Sequence, residues 1–178
     1  MIETCPVCDS RKVRVEHRDH AYVEAGLPNI VLTGLPFIVC ASCGESSMVI
    51  EQPEDLHKRI AQIFAKAQGP LEPGELRFVR EYLGLSREAM ALSLGVDVST
   101  VSRWESGKRD APLMAAKLMR LDLKAKLSRE GTIKVSRSQL EAPPGPRSGN
   151  AAVWLLELTK PGPGKRAAHW TQPCIALP

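Results

Sequence analysis

Through the first fifty residues the apolar positions come in short runs, VRVEHR (Val13 to Arg18), NIVLTG (Asn29 to Gly34) and PFIVC (Pro36 to Cys40), punctuated by Gly26, Pro28, Gly34 and Pro36. Runs of this length between turn residues predict short strands. From Pro53 the period changes: Leu56, Ile60, Ile63, Phe64 and Ala67 fall on one face of a helix running to about Gln68, where Gly69-Pro70 stops it. The stretch QGPLEPG, Gln68 to Gly74, reads as a connection. Two short helices are predicted next, Glu75 to Leu83 and Arg87 to Leu94, the second capped by Ser86. A third runs from near Val98, with Asp97 or Ser99 as cap, to Gly107. A fourth starts at Pro112 and carries Leu113, Ala116, Lys117, Leu118, Leu121 and Leu127.

After about Ser128 the periodicity fades. EAPPGPRSGN and KPGPGKR are polar and rich in proline and glycine, which predicts a mostly flexible tail. Two stretches within it, TIKVS (Thr132 to Ser136) and AAVWLLELT (Ala151 to Thr159), could pair as strands or dock on a partner.

The cysteines change this picture most. Four of the five form two pairs, Cys5/Cys8 and Cys40/Cys43, each with two residues between; Cys174 is left over. No apolar run reaches the roughly 18 residues that a membrane helix needs. The first residues, MIETCPVCDS, lack the basic start and apolar stretch of a secretory signal. The expected compartment is therefore the cytoplasm, where paired cysteines argue for metal over disulfides. Two such knuckles can set four sulfurs around one structural Zn²⁺ at about 2.3 Å. The spacer, Asp9 to Val39, is 31 residues long, so the metal would close a loop containing the strands and supply much of their stability. The alternatives are reduced cysteines that happen to pair and a redox dithiol, which would need only one pair and a βαβ context that is absent. His17 and His20 could also act as ligands, but their spacing does not match the finger pattern.

A shell of four thiolates leaves no open position for water, which argues against catalysis at the metal. The chain also lacks a Ser/His/Asp arrangement, a phosphate-cradling glycine loop and paired carboxylates beside a plausible pocket, so an enzyme is not expected. A net charge of +4 is compatible with a polyanionic partner without demanding one.

Where the charge sits is more telling. LSREAMALSLGVDVSTVSRWESGKR, Leu85 to Arg109, has the span of a helix-turn-helix. Met90, Leu94, Val96, Val101 and Trp104 would form its apolar face, leaving Val98, Ser99, Ser102 and Arg103 outward on the second helix. That outward stripe is small, polar and cationic, as entry into a major groove requires.

Ser-Arg-Trp-Glu-Ser-Gly-Lys, Ser102 to Lys108, resembles the end of the recognition helix in the phage-repressor-like (XRE or Cro type) helix-turn-helix family. In that family the Glu and Gly are structural, which assigns Glu105 and Gly107 to ending the helix and shaping the loop. Combined with CPVC near the start and GLPFIVCASCGE, the arrangement resembles the MqsA-type antitoxins with their YgiT-type zinc finger, over roughly Thr4 to Leu127. The resemblance implies an α+β chain: a strand-rich zinc-binding domain over 1–52, a connecting helix and linker over 53–73, and a helix-turn-helix domain over 74–128. The mostly disordered tail would then cover 129–178.

By the same resemblance, Cys5, Cys8, Cys40 and Cys43 hold one Zn²⁺ per chain, and Ser99 and Arg103 read bases. The family's reader at the Ser99 position is often Asn, so the operator sequence is left open. Arg87, Thr100, Ser102, Lys108 and Arg109 are expected on phosphates; Arg87 stands where the family often has Gln. The implied function is a repressor at a palindromic double-stranded DNA operator. It would form a homodimer through the helix-turn-helix domain and bind a ribonuclease toxin through the zinc domain. A standalone zinc-containing regulator without a toxin is the alternative reading.

Overall fold

Strand β2, Leu27–Cys40, passes through both a glycine and a proline without stopping. The sequence reading splits it in two at Gly34, because those residues usually end strands. Instead, Gly34 takes the left-handed conformation, φ 63, inside the strand. Just before it Ile30 and Leu32 are buried and just after it Leu35 and Phe37 are, while toward the end of the strand Ile38 and Cys40 are buried as well. One residue with positive φ has slipped the two-residue alternation by one step, the effect of a β-bulge. The Gly34 N–H is taken up by the Asp19 carboxylate at 2.9 Å.

The computed structural model describes residues 4–130, 154–159 and 169–171. The remaining elements are β1 (Val13–Tyr22), a short 3-10 turn (Val23–Ala25), β3 (Ser46–Met48), and helices α1 (Pro53–Lys66), α2 (Pro73–Leu83), α3 (Arg87–Leu94), α4 (Val98–Glu105) and α5 (Leu113–Arg129), then β4 (Trp154–Thr159) and β5 (His169–Thr171). This is the expected α+β class: a small sheet bearing the cysteines, followed by five helices.

The chain divides into two compact units. Within the described residues, the first holds 4–22, 28–56 and the strands β4 and β5, while the second holds Val23–Leu27 and 57–130. In the first, strands run in the order β1, β2, β4, β5, and β3 also pairs with β2. Only four residues join β1 to β2, too few for a parallel crossover, so these two form an antiparallel hairpin. β3 pairs antiparallel, with Phe37 opposite Met48, and β4 pairs parallel, with Ile30 opposite Trp154 and Thr33 opposite Glu157. The strand alternative for Ala151 to Thr159 is therefore realised over Trp154–Thr159, whereas TIKVS lies outside the described residues.

In the second unit the helix ends follow local chemistry. The Ser86 hydroxyl accepts from the Ala89 amide at 3.1 Å to start α3, and the Asp97 carboxylate accepts from the Ser99 amide at 2.9 Å to start α4. Gly84 and Gly95, with φ 77 and 66, end α2 and α3 in left-handed caps. The core is built from Ile60, Phe64, Leu76, Val79, Met90, Val101, Met119, Leu123 and Leu127, all almost fully buried.

On α5 the inward face differs from the expected one. Ala115, Ala116, Met119, Leu123 and Leu127 point in, while Leu118 is exposed and Leu121 half-buried. A leucine-rich helix offers more than one apolar stripe, and the packing partner α2 selects which is covered. Arg120 is buried too: its guanidinium donates to the carbonyls of Phe64 at 3.1 Å and Gly69 at 2.5 Å, satisfying oxygens at the end of α1.

Gly74, in the first turn of α2, lies directly against the hairpin tip, where a Cβ would sit 1.9 Å from the Gly26 carbonyl oxygen. Backbone cannot yield as a side chain can, so Gly74→Ala is expected to cost about 1–3 kcal/mol, as overpacking does. The urea midpoint of the helical unit should fall accordingly, and an unchanged midpoint would show that the tip moves away freely.

Candidate metal centre and basic helix

Each cysteine pair lies in a tight turn, and the two turns repeat one another atom for atom. The Cys5 N–H donates to the Ser10 carbonyl at 2.9 Å, and the Cys40 N–H donates to the Glu45 carbonyl at 2.9 Å. Asp9 N–H reaches the Cys5 carbonyl at 3.0 Å, as Gly44 N–H reaches that of Cys40 at 3.0 Å. Val7 N–H points at the Cys5 sulfur at 3.4 Å, and Ser42 N–H at the Cys40 sulfur at 3.3 Å. The residue after each second cysteine has positive φ, 55 at Asp9 and 77 at Gly44. Glycine fills that position in the second turn; aspartate tolerates the same conformation in the first. The matching offset after each pair is the signal that would have revealed it.

The turns are joined by the Ser10 and Ser42 hydroxyls at 2.8 Å and by the Ala41 amide donating to the Lys12 carbonyl at 2.8 Å. This brings all four sulfurs within 4.8 Å of one another. Cys5 to Cys43 and Cys8 to Cys40 are each 3.6 Å. A regular tetrahedron with metal–sulfur bonds of about 2.3 Å has edges of about 3.8 Å, so a small tetrahedral ion fits among these atoms. Electrostatics point the same way. The amides of Cys43 and Ser42 draw the Cys40 thiol down to about 6. At Cys8 the Ser10 amide also lowers the thiol, but the Cys43 thiol, desolvation and the other cysteines push it up to about 12. Four thiols this close cannot all ionise without a cation among them. Cys5, Cys8, Cys40 and Cys43 can therefore hold a metal ion together.

The two histidines stand elsewhere. His17 is exposed on β1, and His20 packs edge-on against Phe37 with ring centroids 5.6 Å apart. Cys174 lies outside the described residues.

In the second unit, α3 and α4 are joined by Gly95, Val96 and Asp97. Met90, Val101 and Trp104 are buried, as expected, while Leu94 and Val96 are half-buried. Ser99, Ser102 and Arg103 are exposed on α4, Thr100 is half-buried, and Lys108 and Arg109 are exposed in the loop beyond. One turn, about 6 Å of rise, separates Ser99 from Arg103. The Asp97 carboxyl is held below its usual range first by the Ser99 amide and in small part by the charge of Arg103.

Arg87 is half-exposed and donates to the Glu105 carboxylate at 2.7 Å. Arg80, only 9% exposed, donates to the other oxygen of Glu105 at 2.5 Å and to the Leu85 carbonyl at 2.9 Å. Burial alone would raise the Glu105 carboxyl, but hydrogen bonds from both arginines outweigh it and hold the group below its usual range. Glu105, which the resemblance assigns to ending the helix and shaping the loop, is the last residue of α4, and its carboxylate serves an ion pair spanning α2, α3 and α4. Arg80 is the member missed from sequence, since nothing in its local pattern marks a partner 25 residues away.

A sheet unit bearing four convergent cysteines that could hold a metal ion is followed by a helical unit with an exposed basic helix, the layout of a two-part binding protein. The chain belongs to the MqsA antitoxin family: the family model for the antitoxin component of the bacterial toxin-antitoxin system, MqsA, matches residues 3–129. No individual curated protein matches it. Among the described residues no helix is long and apolar enough to cross a membrane.

Proposed function

We propose that the chain is a zinc-containing, sequence-specific transcriptional repressor that acts in the cytoplasm, silences its own operon and neutralises a ribonuclease toxin. The carrying observation is the division of α4: Val101 and Trp104 are buried while Ser99, Ser102 and Arg103 are exposed along its outer face. As the second helix of a helix-turn-helix, α4 would lie in the major groove, with Arg103 bidentate on a guanine and Ser99 beside the neighbouring base. Arg87, Thr100, Ser102, Lys108 and Arg109 would hold phosphates and make affinity fall steeply with salt. Glu105 would then aim the Arg87 guanidinium while neutralising part of its charge.

Zn²⁺ is the ion best suited to four thiolates in a tetrahedron. It would fix the sheet of the first unit, whose surface is the proposed site for the toxin. A homodimer would place two α4 helices on a palindrome one helical turn apart. Met114 and Leu118 on α5, 64% and 40% exposed, offer an apolar stripe for that pairing.

Selection of bound sequences from random DNA tests the reading. It should return a palindrome containing a guanine whose recognition is lost in Arg103→Ala, with discrimination falling about 5- to 150-fold, the equivalent of about 1–3 kcal/mol. Recovery of no consensus, or one that Arg103→Ala reads equally well, would sink the reader assignment.

A further inference from the structure

β4 is the odd member of its sheet. It pairs parallel to β2 where β3 pairs antiparallel, and 23 residues, 131–153, separate it from the last described residue before it, Glu130. It covers β2 from Ile30 to Thr33. Ile30 and Leu32 are fully buried there, Leu156 of β4 is fully buried as well, and the Thr33 hydroxyl donates to the Leu156 carbonyl at 3.2 Å. β5 then adds antiparallel to β4, with Leu158 opposite Trp170. The family match ends at residue 129. The stretch of β2 being covered thus lies inside the shared part of the chain, while the strand that covers it lies outside.

A strand edge with unpaired amides and carbonyls beside an apolar face is a template for one more strand. We infer that the β2 edge at Ile30 to Thr33 is a strand-receiving site, filled in cis by Trp154–Thr159. Its exchange partner is an extended protein segment that enters parallel to β2 and offers one apolar side chain at the position of Leu156. The register supplies the main-chain part of recognition, and the buried Leu156 position supplies the side-chain part. Because the arm belongs to the same chain, it competes intramolecularly, and a free segment of equal quality displaces it only above the arm's effective concentration. A partner takes the site either by fitting better or when the arm is released. The site makes no use of DNA recognition, so failure of the repressor reading would leave it standing, and the reverse.

The probe is a fluorescent peptide copying residues 151–160, AAVWLLELTK. It is titrated against the full-length, metal-loaded protein and against full-length Leu156→Asp, in which the arm's buried side chain is made charged. The variant should bind the peptide at least about tenfold more tightly than the parent, since the tethered competitor has gone. A peptide carrying the same Leu156→Asp change should bind neither protein. Amide hydrogen exchange at Ile30 to Thr33 should speed up in the variant and slow again on peptide addition. Equal affinity for the two proteins, or binding to neither, overturns the inference. If Leu156→Asp fails to retain metal, Glu157→Pro serves instead: it puts a residue that strand ladders do not accommodate opposite Thr33, and the same outcomes decide.

Discussion

Cys40→Ser is expected to strip the chain of its metal and, with it, the sheet of the first unit. Metal content should be close to one Zn²⁺ per chain in the parent and fall far below that in the variant. Beyond the β1–β2 hairpin that leads into them, one serine pair and one backbone hydrogen bond among those described join the knuckles, and four sulfurs converge there within 4.8 Å. Structural zinc in finger peptides contributes about 10–16 kcal/mol of apparent binding energy, which here would be folding energy. Strand signal should be lost while the helical signal persists, because α2 to α5 have their own buried core. Chelation of the parent should reproduce the variant. Operator binding by the helical unit, assayed at fixed dimer concentration, should survive chelation. Full metal retention by Cys40→Ser would refute the four-thiolate centre.

Glu105→Ala should be among the most damaging single changes in the helical unit, at about 3–5 kcal/mol. The carboxylate is 2% exposed, and its removal leaves the Arg80 guanidinium, 9% exposed, without its main counter-charge. Breaking a buried pair from one side costs more than the pair contributes, since the remaining charge is stranded. Urea melts of the helical signal measure this, and a loss below about 1 kcal/mol would show that water reaches Arg80 readily. The ion pair also sets a pH dependence. The folded-state pKa of Glu105 is depressed, so its stabilisation is complete above the ordinary value of 4.5 and is lost as pH falls through the lower folded value. Acid melts should therefore separate parent from Glu105→Ala near neutrality and bring them together in strong acid. Arg87 should be freed of its partner at the same time, which separates this variant from one that only loosens packing.

Those two predictions differ in how far the sequence foretells them. The cysteine spacing, the boundaries of α3 and the start of α4 are legible because each depends on neighbours a few residues away: knuckle turns, a Ser86 cap, an Asp97 cap, glycines past helix ends. What escapes is non-local. Gly34 and Pro36 look like strand breakers until Asp19, fifteen residues earlier, is seen to take up the free amide. Arg120 is one more cation in a leucine-rich helix until the carbonyls of Phe64 and Gly69 are placed against it. The choice of α5 face, Met119 and Leu123 inward with Leu118 outward, depends on which stripe α2 covers. At the basic helix the residue types and their outward placement are legible, whereas the Arg80–Glu105–Arg87 network that steadies it is not, because ion pairs leave no periodic trace.

The parallel placement of β4 has a bearing on how the protein is made. Between the last residue of β2, Cys40, and the first of β4, Trp154, lie 113 residues. At synthesis rates of about 5–20 residues per second, the β2 edge has emerged roughly 6 to 23 s before its own covering strand exists. Both knuckles are complete by Gly44, so metal could organise the nascent sheet during that interval. A nascent chain would thus present an organised sheet with an open edge while its helices are still being made, and a partner waiting nearby would meet it before the arm does.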